Sequence, residues 1–125
     1  LGFPNMPVLT PHEAGRRLVK ISRDYDFSFF SHWFTDVVGH RGSMEQAVDL
    51  LQTFDAVMAG VLDEWDDDEG LVIVTSDHGN IADLSHGKHT ENNVPGVVIG
   101  SRHDAFADAR TLADIAPRIA DVLLA

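Results

Sequence analysis

One apolar stretch of this chain ends with an acid and an imidazole side by side. Residues 71–74 read LVIV, and residues 75–80, directly after them, read TSDHGN. An unbroken apolar run of this kind is typical of a strand that is covered on both faces inside a parallel sheet. Asp77 and His78 follow at the end of the strand, and Gly79 offers the backbone freedom for a tight turn. The stretch therefore predicts a buried strand that brings polar side chains to one edge of a sheet.

Helices and further strands are predicted on both sides of this strand. Thr10 and Glu13 can form a capping box for a helix from residue 11 to about 23, and Ser43 and Gln46 can do the same for a helix of about six turns. A last helix is predicted from residue 111 to about 124. Strands are predicted at residues 96–100 (GVVIG) and in an aromatic segment that contains Phe27, Phe29, Phe30, Trp33 and Phe34. Alternating helices and strands predict an α/β fold, a mainly parallel sheet flanked by helices.

Composition limits the class of protein. The chain has 125 residues, which fits a single domain, with residues 1–11 as a leading segment or hinge. Its net charge of −11 argues against a nucleic-acid partner, and the absence of cysteine excludes disulfides and thiolate metal sites. No apolar run approaches a membrane span and no signal peptide is visible, so a cytoplasmic location without membrane association is expected. Because the chain starts at Leu1, we expect a processed or truncated product.

Two acid–histidine pairs are candidates for chemistry. Asp36 and His40 are four residues apart and share a face if their segment is helical, and Asp77 and His78 are adjacent. His89 lies in the loop before the predicted third strand. Carboxylate oxygen and imidazole nitrogen are ligands for Zn, Mn or Fe, and two ions about 4 Å apart can clamp a phosphoryl group. The pattern predicts a metal site at the carboxyl ends of the strands.

Other interpretations of these residues are open at this point. Each acid–histidine pair alone is more often part of a turn or a salt-linked pair, and Asp77 could cap a turn. His12, His32 and His103 do not belong to this group of residues and are expected on the surface or in the core. The acidic run at residues 63–70 is expected to be a solvated surface.

Three motifs, taken in order, resemble a known family. They are TDVVGH at residues 35–40, TSDHGN at residues 75–80, and KHTENNVPGVVIG at residues 88–100. Together they resemble the carboxy-terminal part of the alkaline phosphatase superfamily, in the metalloenzyme branch of cofactor-independent phosphoglycerate mutase and phosphopentomutase. The resemblance runs from residue 27 to the end and includes the terminal helix. It implies two divalent ions, Mn or Zn, one held by Asp36, His40 and His89 and the other by Asp77 and His78.

The resemblance also implies parts that these residues do not match. In the family, the second ion takes an aspartate from an amino-terminal strand, and a serine or threonine nucleophile follows a few tens of residues later. The chain is therefore expected to be the carboxy-terminal part of a metalloenzyme catalytic domain. A sheet this short should leave an edge and apolar surface open, to be covered by a missing amino-terminal part or by self-association.

The implied function is that of a fragment of a two-metal-dependent phosphotransferase or phosphohydrolase. The intact enzyme would be mutase-like, would act on a small phosphorylated substrate, and would form a phospho-Ser/Thr intermediate on a nucleophile outside this chain. We expect this chain alone to be inactive. The alternatives are a sulfatase or phosphodiesterase of the same superfamily, and a non-catalytic metal-binding or interaction module.

Overall fold

The computed structural model describes residues 5–125 and divides the chain into two compact units. The first unit contains the residues up to Phe29 together with Val48–Trp65. The second contains Phe30–Ala47 and Asp66–Ala125, and therefore all five predicted metal ligands. Residues 1–4 of the predicted leading segment lie outside the described residues. Among the described residues, no helix has the length and apolar character that a membrane span needs.

Residues 5–125 form four α-helices, and all three that the sequence predicts are among them. They are α1 (Pro11–Ser22), α2 (Phe34–Arg41), α3 (Met44–Glu64) and α4 (Ile115–Leu124). The capping box of α1 is present. The Thr10 hydroxyl accepts a hydrogen bond from the Glu13 N–H at 3.3 Å, and the Glu13 carboxylate accepts one from the Thr10 N–H at 2.8 Å. Ser43 and Gln46 make the same pair of contacts at 3.2 and 2.9 Å. These short-range contacts fix where α1 and α3 begin, because the first backbone N–H groups of a helix lack partners within it.

In the first unit, α1 and α3 approach closely enough for their backbones to touch. A Cβ atom on Gly15 of α1 would overlap the Val57 carbonyl of α3, and one on Gly60 of α3 would overlap the His12 carbonyl of α1. Val19 and Val61 are buried in this unit, with 3% and 7% of their surface exposed. Only glycine permits this separation, because any larger residue would push the helices apart.

A carboxylate from α3 then joins basic side chains of α1. Glu64 accepts from Arg16 Nε at 2.9 Å and from Arg23 Nη1 at 3.2 Å. The hydrogen bond from Arg16 lowers the pKa of Glu64 below its usual value, with Arg23 and Lys20 adding to the effect. The ion pairs and the glycine contacts hold the same two helices together.

In the second unit the expected mainly parallel sheet does not form. The described residues contain one sheet of two strands, β1 (Val72–Thr75) and β2 (Gly96–Ile99), which run antiparallel with Val72 opposite Ile99. A parallel pair needs a crossover connection, usually a helix. Residues 76–95 contain no helix, so the chain returns alongside β1 in the opposite direction. The prediction of an α/β chain holds in its coarser form: mostly helical, with a small antiparallel sheet.

The predicted aromatic strand is also wrong. Residues 27–32 have no regular structure, and Phe34, the last aromatic residue of the segment, begins α2. The side chains stay exposed, to 81% for Phe29 and 78% for Trp33. Aromatic residues favour strands only where a neighbouring strand and a core are there to pack against. The two described strands pair with each other, and the aromatic segment is not a strand of their sheet.

Candidate metal site

Helix α2 places two of the predicted ligands on one face. Asp36 lies in its first turn and His40 in its last, one helical turn apart. The His40 Nε2 atom is 3.3 Å from Asp36 Oδ1. The segment is therefore helical, as the four-residue spacing requires if the two side chains are to meet.

A second segment brings two more histidines to this face. The Thr90 N–H donates to the Gly79 carbonyl at 2.7 Å, which makes an isolated antiparallel bridge. The residues that precede them, His78 and His89, stack their rings with centroids 3.6 Å apart and planes 19° apart. A bridge between positions that lie eleven residues apart thus brings the two imidazoles together.

Gly79 is needed for a reason other than the expected backbone freedom for a tight turn. It does not adopt the left-handed conformation, which among the described glycines is found at Gly70, Gly87 and Gly100. A Cβ atom at Gly79 would overlap the Thr90 hydroxyl. Glycine is needed here because the two backbones of the bridge lie so close together.

A backbone carbonyl fixes the orientation of His40. Its Nδ1 lies 2.7 Å from the Gly87 carbonyl, which can only accept, so Nδ1 carries the proton and donates. Nε2 of the neutral ring then has a free lone pair directed at Asp36 and His89. This arrangement is typical of metal-binding histidines, whose second nitrogen donates to a carbonyl or carboxylate. Gly87 has φ 59°, a left-handed conformation that favours glycine.

Three ligand atoms form a nearly regular triangle. Asp36 Oδ1 is 3.3 Å from His40 Nε2 and 3.4 Å from His89 Nε2, and the two nitrogens are 3.1 Å apart. Ligand atoms about 2.0–2.1 Å from a tetrahedral ion stand about 3.3–3.4 Å from one another. Asp36 Oδ1 is buried and accepts no hydrogen bond, so its lone pairs lack a partner. The donor set and its spacing fit a divalent ion.

Asp77 and His78 lie beside this triangle. His78 Nε2 is 3.6 Å from Asp36 Oδ1 and 3.6 Å from Asp77 Oδ1, so one imidazole is within reach of both carboxylates. The Asp77 side chain is 85% exposed, whereas the His78 side chain is 28% exposed. The structure thus brings all five predicted residues together at one place. Their assignment as ligands of two ions stays a prediction.

Three other histidines make contacts that do not involve the five predicted ligands. His12 Nε2 lies 2.8 Å from Asp63 Oδ2, and His103 Nδ1 lies 3.0 Å from the Gly100 carbonyl. His86 Nδ1 accepts from the Lys88 N–H at 3.1 Å, inside the loop that carries His89. Hydrogen bonds from Ser85 lower the pKa of Asp83, which lies beside His86 in this loop.

One contact that supports the site could not be read from the motifs. Gly39 of α2 lies against Asn80, whose side chain is 5% exposed, and a Cβ atom on Gly39 would overlap the Asn80 amide oxygen. This contact joins the helix that carries Asp36 and His40 to the turn that carries Asp77 and His78. The glycine before His40 and the asparagine after the DHG triplet were its only sequence signals.

Comparison with known proteins identifies the family. Residues 11–125 match the metalloenzyme superfamily. The chain belongs to this superfamily. The resemblance seen in the three motifs is thereby confirmed, including the distant homology to the carboxy-terminal region of cofactor-independent phosphoglycerate mutase. No solved structure matches the chain significantly.

The relatives of this superfamily member are much longer than the chain. The 2,3-bisphosphoglycerate-independent phosphoglycerate mutase of Thiobacillus denitrificans is 31% identical over 123 residues, which are 90% of this chain and 24% of that protein. The enzyme of the same name from Clostridioides difficile is 33% identical, over 94% of this chain and 25% of that protein. The Pseudomonas putida enzyme is 28% identical, also over 94% of this chain and 25% of that protein. The chain therefore spans about a quarter of the length of the curated relatives it matches.

Membership of the metalloenzyme superfamily implies metal ions without saying which. Among the described residues, one group of three or more acidic or histidine side chains has ligand atoms all within 4.8 Å of one another, and it consists of Asp36, His40 and His89. These residues come from the first and third motifs of the sequence. Family and geometry therefore point to the same three side chains.

Proposed function

We propose that this chain is the carboxy-terminal part of the catalytic domain of a two-metal-dependent phosphotransferase or phosphohydrolase, of mutase type. The observation that carries the proposal is the ligand triangle of Asp36, His40 and His89, found in a member of the metalloenzyme superfamily. Relatives that bear the name phosphoglycerate mutase support the mutase type. The substrate would be a small phosphorylated molecule.

The chain's own residues would divide the work of binding and orientation. Asp36, His40 and His89 would hold one divalent ion, Mn or Zn, and the Gly87 carbonyl would keep His40 in the tautomer that coordinates. Such ions polarise phosphoryl oxygens and lower the pKa of an attacking hydroxyl. Asp77 and His78 would contribute to a second ion whose remaining ligands lie outside this chain.

The exposed aromatic segment supports the view that a longer domain is needed. Phe29, Phe30 and Trp33 each leave 61% or more of their surface in water. Burying one such side chain is worth about 1.5–3 kcal/mol, so a folded partner surface would gain from covering them. We assign the covering of these aromatic side chains to the part of the longer relatives that has no counterpart in this chain. Size-exclusion chromatography of this chain alone tests the assignment, because a concentration-dependent dimer would favour self-association.

A metal titration tests the proposed site. Bound ligand stabilises a fold by mass action, by about 2.7 kcal/mol at a hundredfold excess over Kd. Adding Mn²⁺ or Zn²⁺ should therefore raise the melting temperature, with one ion bound much more tightly than a second. An unchanged melting temperature at millimolar metal would contradict the ligand triangle.

A turnover assay separates the proposal from its alternative. With an aryl phosphate and added Mn²⁺ or Zn²⁺, this chain alone should show no phosphatase turnover, because no residue in it matches the nucleophile. Joining it to the missing part of such a domain should restore turnover that His89→Ala removes. A complete protein that binds metal at the triangle but has no turnover would favour the non-catalytic metal-binding module.

A further inference from the structure

A cavity beside the ligand triangle has the size of a small-molecule site. Its volume is about 570 Å³, and it is lined by Asp36, Val37, His40, Arg41 and Gly87, all from the second unit. Pockets for small ligands are typically about 300–1,000 Å³. Two of the lining side chains are candidate metal ligands, so a molecule in this cavity would lie against the candidate metal site.

Helix α2 offers this cavity two neighbouring rows of side chains. Residues four apart lie one above the other on a helix, so Asp36 and His40 form one row. Val37 and Arg41, which follow Asp36 and His40 in the sequence, form the adjacent row. The cavity therefore has the candidate ligands on one row and an apolar side chain followed by a cation on the next.

Arg41 is the basic residue among those that line the cavity, and it is exposed. Its side chain makes no hydrogen bond or ion pair with any residue that the structure describes, whereas the side chains of Arg16 and Arg23 pair with Glu64. A planar guanidinium matches two oxygens of a phosphate group, and a charge-assisted pair of this kind is among the stronger hydrogen bonds in proteins. An unpaired arginine in an acidic chain thus lies where a phosphorylated ligand would need a cation.

We propose that Arg41 binds the phosphate group of a small phosphorylated ligand in this cavity and thereby helps to select anionic substrates. The inference rests on the proposed function, since it needs the cavity to be the substrate side of the metal site. A merely structural role would be a favourable contact of Arg41 with the negative end of the α2 dipole. The two roles differ in their measurable consequences.

Inorganic phosphate is the probe that tests Arg41. Its binding is measured by calorimetry on the full chain, once with one equivalent of Mn²⁺ and once with EDTA. Arg41→Ala should raise the phosphate dissociation constant about tenfold or more, as expected for loss of a hydrogen bond between charged groups. The matched control is Arg17→Ala, which removes the same charge from an exposed position on α1, where the side chain also lacks a hydrogen bond or ion pair to a described residue. That variant should bind phosphate like the unchanged chain.

Mn²⁺ affinity and melting temperature separate the two roles. Removing a positive charge near a cation site should leave Mn²⁺ affinity equal or tighter, because like charges repel. The proposal is supported if Arg41→Ala lowers the phosphate affinity but leaves the Mn²⁺ affinity and the melting temperature unchanged. Equal phosphate affinity in the two alanine variants would overturn it, and so would a joint loss of phosphate and Mn²⁺ in Arg41→Ala.

The experiment also distinguishes failure of this inference from failure of the proposed function. If the unchanged chain binds no Mn²⁺, the metal site is wrong, and the comparison of variants in EDTA still decides whether Arg41 holds phosphate. If Mn²⁺ binds but phosphate does not bind at millimolar concentration in either condition, the assignment of Arg41 is wrong and the metal site stands.

Discussion

Replacing Gly39 by alanine should loosen the contact that joins the two halves of the candidate site. Gly39 is buried in α2, and an added Cβ atom would overlap the amide of Asn80 and lie 3.0 Å from the Ile81 nitrogen. Asn80 is only 5% exposed, so its side chain has little room to move aside. Either the turn after Asp77 and His78 or helix α2 must shift.

Two effects of known size oppose each other in this substitution. Alanine is about 1 kcal/mol better than glycine within a helix, which would stabilise α2. Overpacking a well-filled site costs about 1–3 kcal/mol. The net expectation is a loss of about 0–2 kcal/mol in the free energy of unfolding. Because the shift separates Asp36 and His40 from their neighbours, Mn²⁺ affinity should also fall, by the roughly 10–100-fold that loss of a supporting contact costs.

Urea unfolding followed by circular dichroism, together with Mn²⁺ titration, measures both effects. Gly96→Ala is the matched control, because a Cβ atom there meets nothing within 4 Å and its φ is not left-handed. That variant should be neutral or more stable by up to about 1 kcal/mol, with unchanged Mn²⁺ affinity. If Gly39→Ala gains stability and keeps its Mn²⁺ affinity, the contact with Asn80 does not hold the site together.

Three further changes test other parts of the structure. Mn²⁺ at a hundredfold excess over Kd should stabilise the unchanged chain by about 2.7 kcal/mol, and the double variant His40→Ala/His89→Ala should lose the rise in melting temperature that results. The melting temperature of the double variant without metal serves as its control. Gly15→Ala should lower the free energy of unfolding by about 1–3 kcal/mol in urea, because the added Cβ overlaps a backbone carbonyl that cannot rotate away. Glu64→Gln should lower the melting temperature at neutral pH, and this difference should become smaller at a pH below 4.5, because a carboxylate with a lowered pKa stabilises the fold fully above its usual value of 4.5 and loses that contribution as pH falls through the folded value. Equal differences at both pH values would contradict the ion pair with Arg16.

The sequence predicted local structure well because its signals are local. Both capping boxes involve residues three apart, and each forms with the expected hydrogen bonds. The pairing of Asp36 with His40 is likewise set within one helical turn. Strand pairing depends instead on which segments meet, and this information is not present in a run of five residues. The aromatic segment that contains Phe29 therefore looked like a strand but is irregular and exposed.

The candidate site shows the same division between local and distant signals. The motifs pointed to all five residues, and the structure brings them together although the parallel sheet that motivated the prediction is absent. What assembles them instead is a set of contacts across the chain: the bridge between Gly79 and Thr90, and the bond from His40 to the Gly87 carbonyl, 47 residues away. A motif names the side chains but not the carbonyl that orients one of them.

These contacts explain why one half of the predicted two-metal site is more complete than the other. The first set of ligands is fixed from both sides, since α2 holds Asp36 and His40 while the loop that carries His89 also provides the Gly87 carbonyl. Asp77 has no such support: its side chain is 85% exposed, and His78 is its one neighbour within ion-pair distance among the described residues. A ligand held before the metal arrives loses less freedom on binding than one that must be ordered by it. The first ion should therefore bind to this chain unaided, whereas a second should require ligands from elsewhere. If two ions bind with equal affinity, that difference in preorganisation does not control binding, and a further group must complete the site at Asp77.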